Sequence, residues 1–296
     1  MHDPIDFKDL TKINCLISER ELGDALPPRN GALRTFPRGA SAGDCLHRIL
    51  EQLPFDQPVE QPGNQELVAR ELSRSGLDLS LQDDVLSAIS TLLRSPFGGP
   101  LGQLRLADLH SGRRLHELSF DLPVAHAGSA VRASTLARAF RCDPEQRFGS
   151  DYAAQLETLD IHSRGFLTGS IDLVFTDGDD LSTARWWVAD WKSNWIGERD
   201  GEGQPLHCGP RHYTQAAMEE QMLQHHYPLQ AHLYLVALHR FLQWRLIDYS
   251  PERHLGGYAY VFLRGVSERG GSGVIIEPAP LQRLQRLNTL LEGTQP

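Results

Sequence analysis

Two apolar runs joined by a polar turn constrain this chain more than any other feature. The first is Gly165-Phe166-Leu167-Thr168-Gly169-Ser170-Ile171-Asp172-Leu173-Val174-Phe175, and the second is Trp186-Trp187-Val188-Ala189-Asp190-Trp191-Lys192. Between them, Thr176-Asp177-Gly178-Asp179-Asp180 carries turn-forming residues, so an antiparallel hairpin is expected. Strand side chains alternate between faces, which puts Asp190 and Lys192 on one side and Trp191 on the other. Such a hairpin brings the carboxylates of Asp172 and Asp190 together with an ammonium. That set can hold a divalent metal and an activated water.

Lysine is rare here. The chain has 29 Lys plus Arg, of which only Lys8, Lys12 and Lys192 are lysines. Arginine stays protonated and presents a planar fork, whereas lysine offers a compact ammonium whose pKa responds to its surroundings. Lys192 therefore reads as chosen for its chemistry. The alternative is a strand-end salt bridge to a neighbouring carboxylate.

A chain of 296 residues with 40% hydrophobic and 23% charged residues has ordinary globular composition and can bury a sizeable core. No apolar run approaches the roughly 20 residues needed to cross a bilayer. The start, Met1-His2-Asp3-Pro4-Ile5-Asp6, lacks the basic and apolar stretches of a signal peptide, so a soluble cytoplasmic protein with no membrane contact is expected. Cys15, Cys45, Cys142 and Cys208 form no C-x-x-C pair, which argues against a zinc ribbon or an iron–sulfur cluster and for reduced thiols. The net charge of -9 argues against bulk coating of nucleic acid. A local positive groove remains open, with Arg105, Arg113, Arg114, Arg132, Arg138 and Arg141 as its candidates; ordinary solvated faces explain them equally well.

Residues 1–40 contain Pro27-Pro28 and Pro37-Arg38-Gly39 with weak periodicity and read as a lead-in or linker. The domain is expected over 41–296, packing from near Gly43. Leu46, Ile49, Leu50 and Leu53 mark a helix from Asp44 with His47 on its flank, and 65–73 and 80–93 read as further helices, the last opened by Ser80 and Asp83 as a capping box. A strand is expected over 115–124, with Glu117 near its start, then a helix over 134–140 and the hairpin. Residues 197–211 read as a surface loop, followed by helices over 213–225 and 229–246, a strand over 257–263 and a helix over 281–291. Met218 and Met222, four apart, are expected to face the core. This is an α/β domain, a mixed central sheet flanked by helices, with an N-terminal helical extension.

D-x-K alone occurs by chance, but here Gly169-Ser170-Ile171-Asp172 precedes Asp190-Trp191-Lys192 on the neighbouring strand. In that pattern the chain resembles the PD-(D/E)xK nuclease superfamily, although Ile171 stands where the motif name has proline. More specifically, six segments in order are similar to the C-terminal nuclease domain of the RecB family, across roughly 36–266. They are Phe36-Pro37-Arg38-Gly39-Ala40-Ser41, Leu46-His47, Gly169 to Phe175, Asp190-Trp191-Lys192-Ser193-Asn194-Trp195, Tyr227-Pro228-Leu229-Gln230 and Phe262-Leu263-Arg264-Gly265-Val266.

The resemblance implies a restriction-endonuclease-like core and magnesium-dependent cleavage of DNA ends in double-strand-break repair and recombination. By position it makes Asp172, Asp190 and Lys192 catalytic, and His47, Asp172, Asp190 and the main-chain carbonyl of Trp191 ligands of Mg2+. Mn2+ or Ca2+ could occupy the same site. On the residues alone, His47 would be a surface or satisfied core histidine. Glu117 matches an acidic position that ligates metal through water or positions Lys192; its plain alternative is an exposed strand-end carboxylate. Gln230 and Tyr234, four apart on a helix, resemble a Gln-x-x-x-Tyr motif supporting the active site or a DNA phosphate; unaided they would be helix packing. A zinc site built from His207, Cys208, His212, His225 and His226 fits no usual spacing.

The implied partners are single-stranded DNA ends, a RecB-like helicase motor, RecC-like and RecD-like subunits, and RecA. A non-catalytic module docking RecA or partner subunits is the alternative. A RecB-type nuclease of CRISPR adaptation would need clustered cysteines, which the chain lacks. There is no G-x-x-x-x-G-K-S/T phosphate loop, so the motor is not in this chain. A fragment of a longer polypeptide or a separate nuclease subunit is expected, with the lead-in favouring the fragment.

Overall fold

The computed structural model describes residues 28–124, 131–160, 162–163 and 165–292. Five strands form its central sheet: β1 Arg114–Val124, β2 Gly165–Thr176, β3 Trp186–Lys192, β4 Leu255–Phe262 and β5 Val274–Pro278. Their spatial order is β5-β4-β3-β2-β1. All neighbours are antiparallel except β3 and β4, which run parallel from Trp186–Leu255 to Lys192–Phe262. A parallel pair needs a crossover, supplied here by α6 (Gln215–Gln224) and α7 (Tyr227–Arg245). The result is the mixed, helix-flanked α/β sheet of a restriction-endonuclease-like domain, as the sequence predicts.

Both sheet faces are covered, so the central strands are apolar on both sides. From β3, Trp187, Ala189 and Trp191 enter one core, packed by the N-terminal helices α1 (Ala40–Gln52), α2 (Pro62–Arg74) and α3 (Gln82–Arg94). Trp186 and Val188 enter the other, with α6, α7, α4 (Ala133–Phe140), α5 (Ser150–Glu157) and α8 (Leu281–Glu292). β4 divides in the same way, Ala259 and Val261 against Tyr258, Tyr260 and Phe262. Met218 and Met222 are fully buried in the second core.

Several boundaries differ from expectation for local reasons. Of the lead-in, residues 1–27 lie outside the described residues. Leu33 and Phe36 are buried in the first core, so packing starts earlier than Gly43. α1 begins at Ala40, after Gly39 turns the chain at φ +106, a conformation open to glycine. Ser80 is not the cap of α3: the Asp78 side chain accepts from Ser80 N at 2.8 Å and starts a 3-10 turn that leads into the helix. Within 197–211, Glu198–Arg199 pairs with Pro205–His207 as a small hairpin, and Cys208, Gly209 and Pro210 are buried. α5, β5 and the hairpin Pro96–Gly98/Gly102–Arg105 have short patterns that were not anticipated.

Three of the six clustered arginines are engaged with carboxylates: Arg113 with Asp179 at 3.1 Å, Arg114 with Asp56 at 3.7 Å, and Arg141 with Glu157 through two bonds. Among the described residues, no helix is long and apolar enough to cross a membrane.

Candidate active site

The β2–β3 ladder runs from Thr176–Trp186 to Leu173–Ala189 and ends there. β3 continues beside β4, so the strands fork, and Asp172 bridges the fork: its Oδ2 accepts from Trp191 N at 2.8 Å. A strand residue points its N–H and C=O the same way. Accordingly, the Trp191 carbonyl on that side accepts from His47 Nε2 of α1 at 2.9 Å. His47 Nδ1 is 3.4 Å from Asp172 Oδ1, closing a ring of three contacts. Because a carbonyl only accepts, Nε2 carries a proton. Burial opposes charge on the imidazole, but the hydrogen bond and charge of Asp172, aided by Asp190, outweigh it and raise the His47 pKa.

The fork is prepared on the opposite side of β2. His116 pairs with Leu173 and Leu118 with Ile171, which places Glu117 opposite Asp172. Glu117 has φ +48, strained for a side-chain-bearing residue. β2 also changes phase here: Ile171 and Val174 join the α7 core, Leu173 and Phe175 the α1 core. Such a slip exchanges faces. It leaves Asp172 directed along the sheet into the fork.

Asp190 and Lys192 project to the α7 side, opposite Trp191, as the alternation predicts. The Lys192 Nζ lies 2.6 Å from Asp190 Oδ2 and donates to Gln230 Oε1 at 3.1 Å. The rings of Tyr227 and Tyr260 lie 3.9 and 5.2 Å from the ammonium. Gln230 is itself fixed, accepting from Tyr260 OH at 3.0 Å and donating to Tyr234 OH at 2.8 Å. The salt bridge posed as the alternative for Lys192 is therefore present, inside a cage rather than at a surface. Asp190 Oδ2 is buried and, despite that ion pair, has no aligned hydrogen-bond donor. Burial lifts the Asp190 carboxyl well above its ordinary range; Lys192 opposes this and Asp172 adds to it.

Thus His47, Asp172 and the Trp191 carbonyl form one group, and Asp190, Lys192, Gln230 and Tyr234 an adjoining one. Among the described residues, no three His, Cys, Asp or Glu side chains are gathered closely enough to hold an ion as they stand. Glu117 makes no direct bond to a described residue, yet its charge reaches Tyr234. The histidines weighed for zinc are dispersed: His207 meets Asn30, His212 meets Glu198, and the Cys208 thiol contacts Tyr213. The sequence marks Tyr227 only as the first residue of a matched segment and gives no sign of Tyr260. Tyr260 pairs in register with Asp190, a relation visible only once β4 is placed beside β3.

One buried arginine holds the site together. From the end of β4, Arg264 donates to the carbonyls of Leu33, Phe36, Pro37 and Ser193. It thereby joins the segment before α1 to the residue after Lys192. A Cβ on Gly43 would lie 3.0 Å from Ser193 Oγ, so with any larger residue there the serine would have to give way for α1 to keep its approach to β3.

Fold, forked strands and the Asp172/Asp190-x-Lys192 geometry together define a domain of the PD-(D/E)xK type. By sequence the chain belongs to the RecB family, as a homologue of one segment of its members. The RecBCD enzyme subunit RecB of Escherichia coli strain K12 is 36% identical over 233 residues, 79% of this chain and 17% of that protein. Its counterpart from Mycobacterium tuberculosis strain CDC 1551 / Oshkosh is 32% identical over 265 residues, 84% of this chain and 23% of that one. The Mycolicibacterium smegmatis subunit is 32% identical over 284 residues, 88% and 24% respectively. The chain thus spans about a fifth of the relatives it matches. No family model matches it.

Proposed function

We propose that this chain is a divalent-metal-dependent deoxyribonuclease domain, hydrolysing phosphodiester bonds of unwound DNA ends during repair and recombination. The observation that carries the reading is the pair of adjoining groups at the β2–β3 fork: carboxylate, carbonyl and imidazole on one side, a carboxylate with a caged lysine on the other.

The residues fit a metal by donor chemistry. Two carboxylates and a carbonyl suit Mg2+, and the imidazole extends the set to Mn2+; Ca2+ would bind the same oxygens. The buried Asp190 Oδ2 without an aligned donor is an atom such an ion would satisfy. His47, Asp172, Asp190 and the Trp191 carbonyl would hold it, with Glu117 acting through water. When bound, the ion lowers the pKa of coordinated water and offsets charge on the phosphate.

The remaining steps belong to side chains. Lys192, kept in place by Gln230 and two tyrosine rings, sets a positive charge beside the carboxylates, where it can orient a water and stabilise a phosphoryl oxygen as charge develops. Its cage excludes bulk water, which strengthens that interaction. Gln230 and Tyr234 fix the lysine rather than react. The name of the relatives, a subunit of RecBCD enzyme, supports partners of the RecC and RecD kind; a motor portion, RecA and a cytoplasmic setting belong to the proposal alone.

The test is cleavage of end-labelled single-stranded DNA by the purified chain in Mg2+ or Mn2+, with EDTA as control. Lys192→Ala and Asp190→Ala, each with an unchanged circular dichroism spectrum, should lose cleavage by at least about a thousandfold. Activity retained in either variant would overturn the assignment. A wild-type chain inert in every metal but able to bind RecA would favour a docking module.

A further inference from the structure

Resting on the nuclease reading, one cluster beside the site has no role in it. Trp195 lies three residues beyond Lys192 and is partly exposed. Two exposed guanidiniums lie over its ring, Arg38 at 5.2 Å and Arg199 at 4.8 Å from the centroid. Neither arginine pairs with a carboxylate among the described residues; Arg199 donates only to the Gly203 carbonyl, at 2.9 Å. In a chain of net charge -9, two arginines seated on one ring without acidic partners are a specific arrangement.

The seat is also rigid and close to the chemistry. Arg264 binds both Pro37 O and Ser193 O, so Arg38 and Trp195 each follow within two residues of the same buried staple. Arg199 comes from the small hairpin Glu198–Arg199/Pro205–His207, whose Glu198 pairs with Arg29 and His212. Three residues of chain span at most about 11 Å. With a rise of about 3.4 Å per nucleotide along a strand, that distance covers about three nucleotides. Guanidiniums stacked on an aromatic ring lose less freedom on binding and present their forks to phosphate.

We propose that Arg38 and Arg199, seated on Trp195, form a phosphate clamp that grips single-stranded DNA within a few nucleotides of the bond held at Lys192. The small hairpin within 197–211 then has a function: it delivers the second arginine.

The test is equilibrium binding of a fluorescent oligodeoxythymidylate to the whole chain in EDTA, across a salt series. Arg38→Ala/Arg199→Ala should lower the slope of log affinity against log salt by about 1.4, two contacts at about 0.7 each for a single strand. Arg74→Ala/Arg94→Ala removes the same charge from exposed positions on α2 and α3 and should leave the slope unchanged. Trp195→Leu, which keeps both charges without their seat, should weaken binding about fivefold, the scale of one exposed cation–π contact. An unchanged slope in the first variant, or an equal fall in the control pair, overturns the clamp. Binding in EDTA does not require cleavage, so a chain that cuts no DNA still gives an answer here.

Discussion

Lys192 is held on every side that the structure shows. Asp190 forms an ion pair with it, Gln230 accepts its hydrogen bond, and two tyrosine rings contribute their π-faces. Tyr260 also fixes Gln230, so its hydroxyl acts on the lysine through an intermediary. Tyr260→Phe should therefore lower kcat about tenfold, about 1.4 kcal/mol of barrier, with KM for DNA unchanged. The lost buried hydrogen bond should cost about 1 kcal/mol of stability in denaturant titration. An unaltered kcat would remove Tyr260 from the site. Glu117 offers a contrast, since its φ of +48 suits glycine. Glu117→Gly should relieve strain and gain about 0.5–1 kcal/mol in melting experiments, while cleavage falls because the carboxylate opposite Asp172 is lost. A gain in both would mean the acid serves neither metal nor lysine.

Among the elements, β3 and α7 were the most legible. The alternation in Trp186 to Lys192 fixed which side chains share a face, and the structure has Asp190 and Lys192 facing α7 with Trp191 opposite. What could not be read was the fork: nothing in Gly169 to Phe175 announces that pairing with β3 covers only Leu173 to Thr176, because that depends on how the neighbouring strands are placed. His47 was reachable only through family resemblance, for the same reason. A histidine on a helix flank becomes a site residue when tertiary packing docks the helix, and the docking here runs through Arg264. Its four carbonyl partners make that arginine a bracket between the segment before α1 and the end of β3. Arg264→Leu should cost on the order of 3 kcal/mol, because buried acceptors are left without donors. It should also cost His47 its place. Melting and metal-dependent cleavage measured on the same sample check both parts; loss of neither would deny the bracket.

At the scale of the molecule, stability should fall on acidification below neutrality. Burial and the charge of Arg114 depress His116 to about 4, and burial with Arg283 depresses His232 to about 3. The unfolded chain protonates both near 6.5, so between that value and the folded ones it binds more protons and stability is lost as pH drops. Asp190 acts in the opposite sense: raised above its ordinary range, it favours the folded state in acid over part of the same window. Urea midpoints between pH 7 and 4.5 should therefore decline, more steeply in Asp190→Asn. A flat profile would show that the histidines are solvated. The arrangement of the site has a further bearing on how the protein is made. His47 comes from the first sixth of the chain, and the arginine that brackets its helix to β3 is residue 264 of 296. During synthesis the early segments leave the ribosome before their bracket, so the proposed site cannot be assembled until the segment carrying Arg264 has been translated. On the proposed nuclease reading, cleavage is in this way withheld by the order in which the parts of its site arrive.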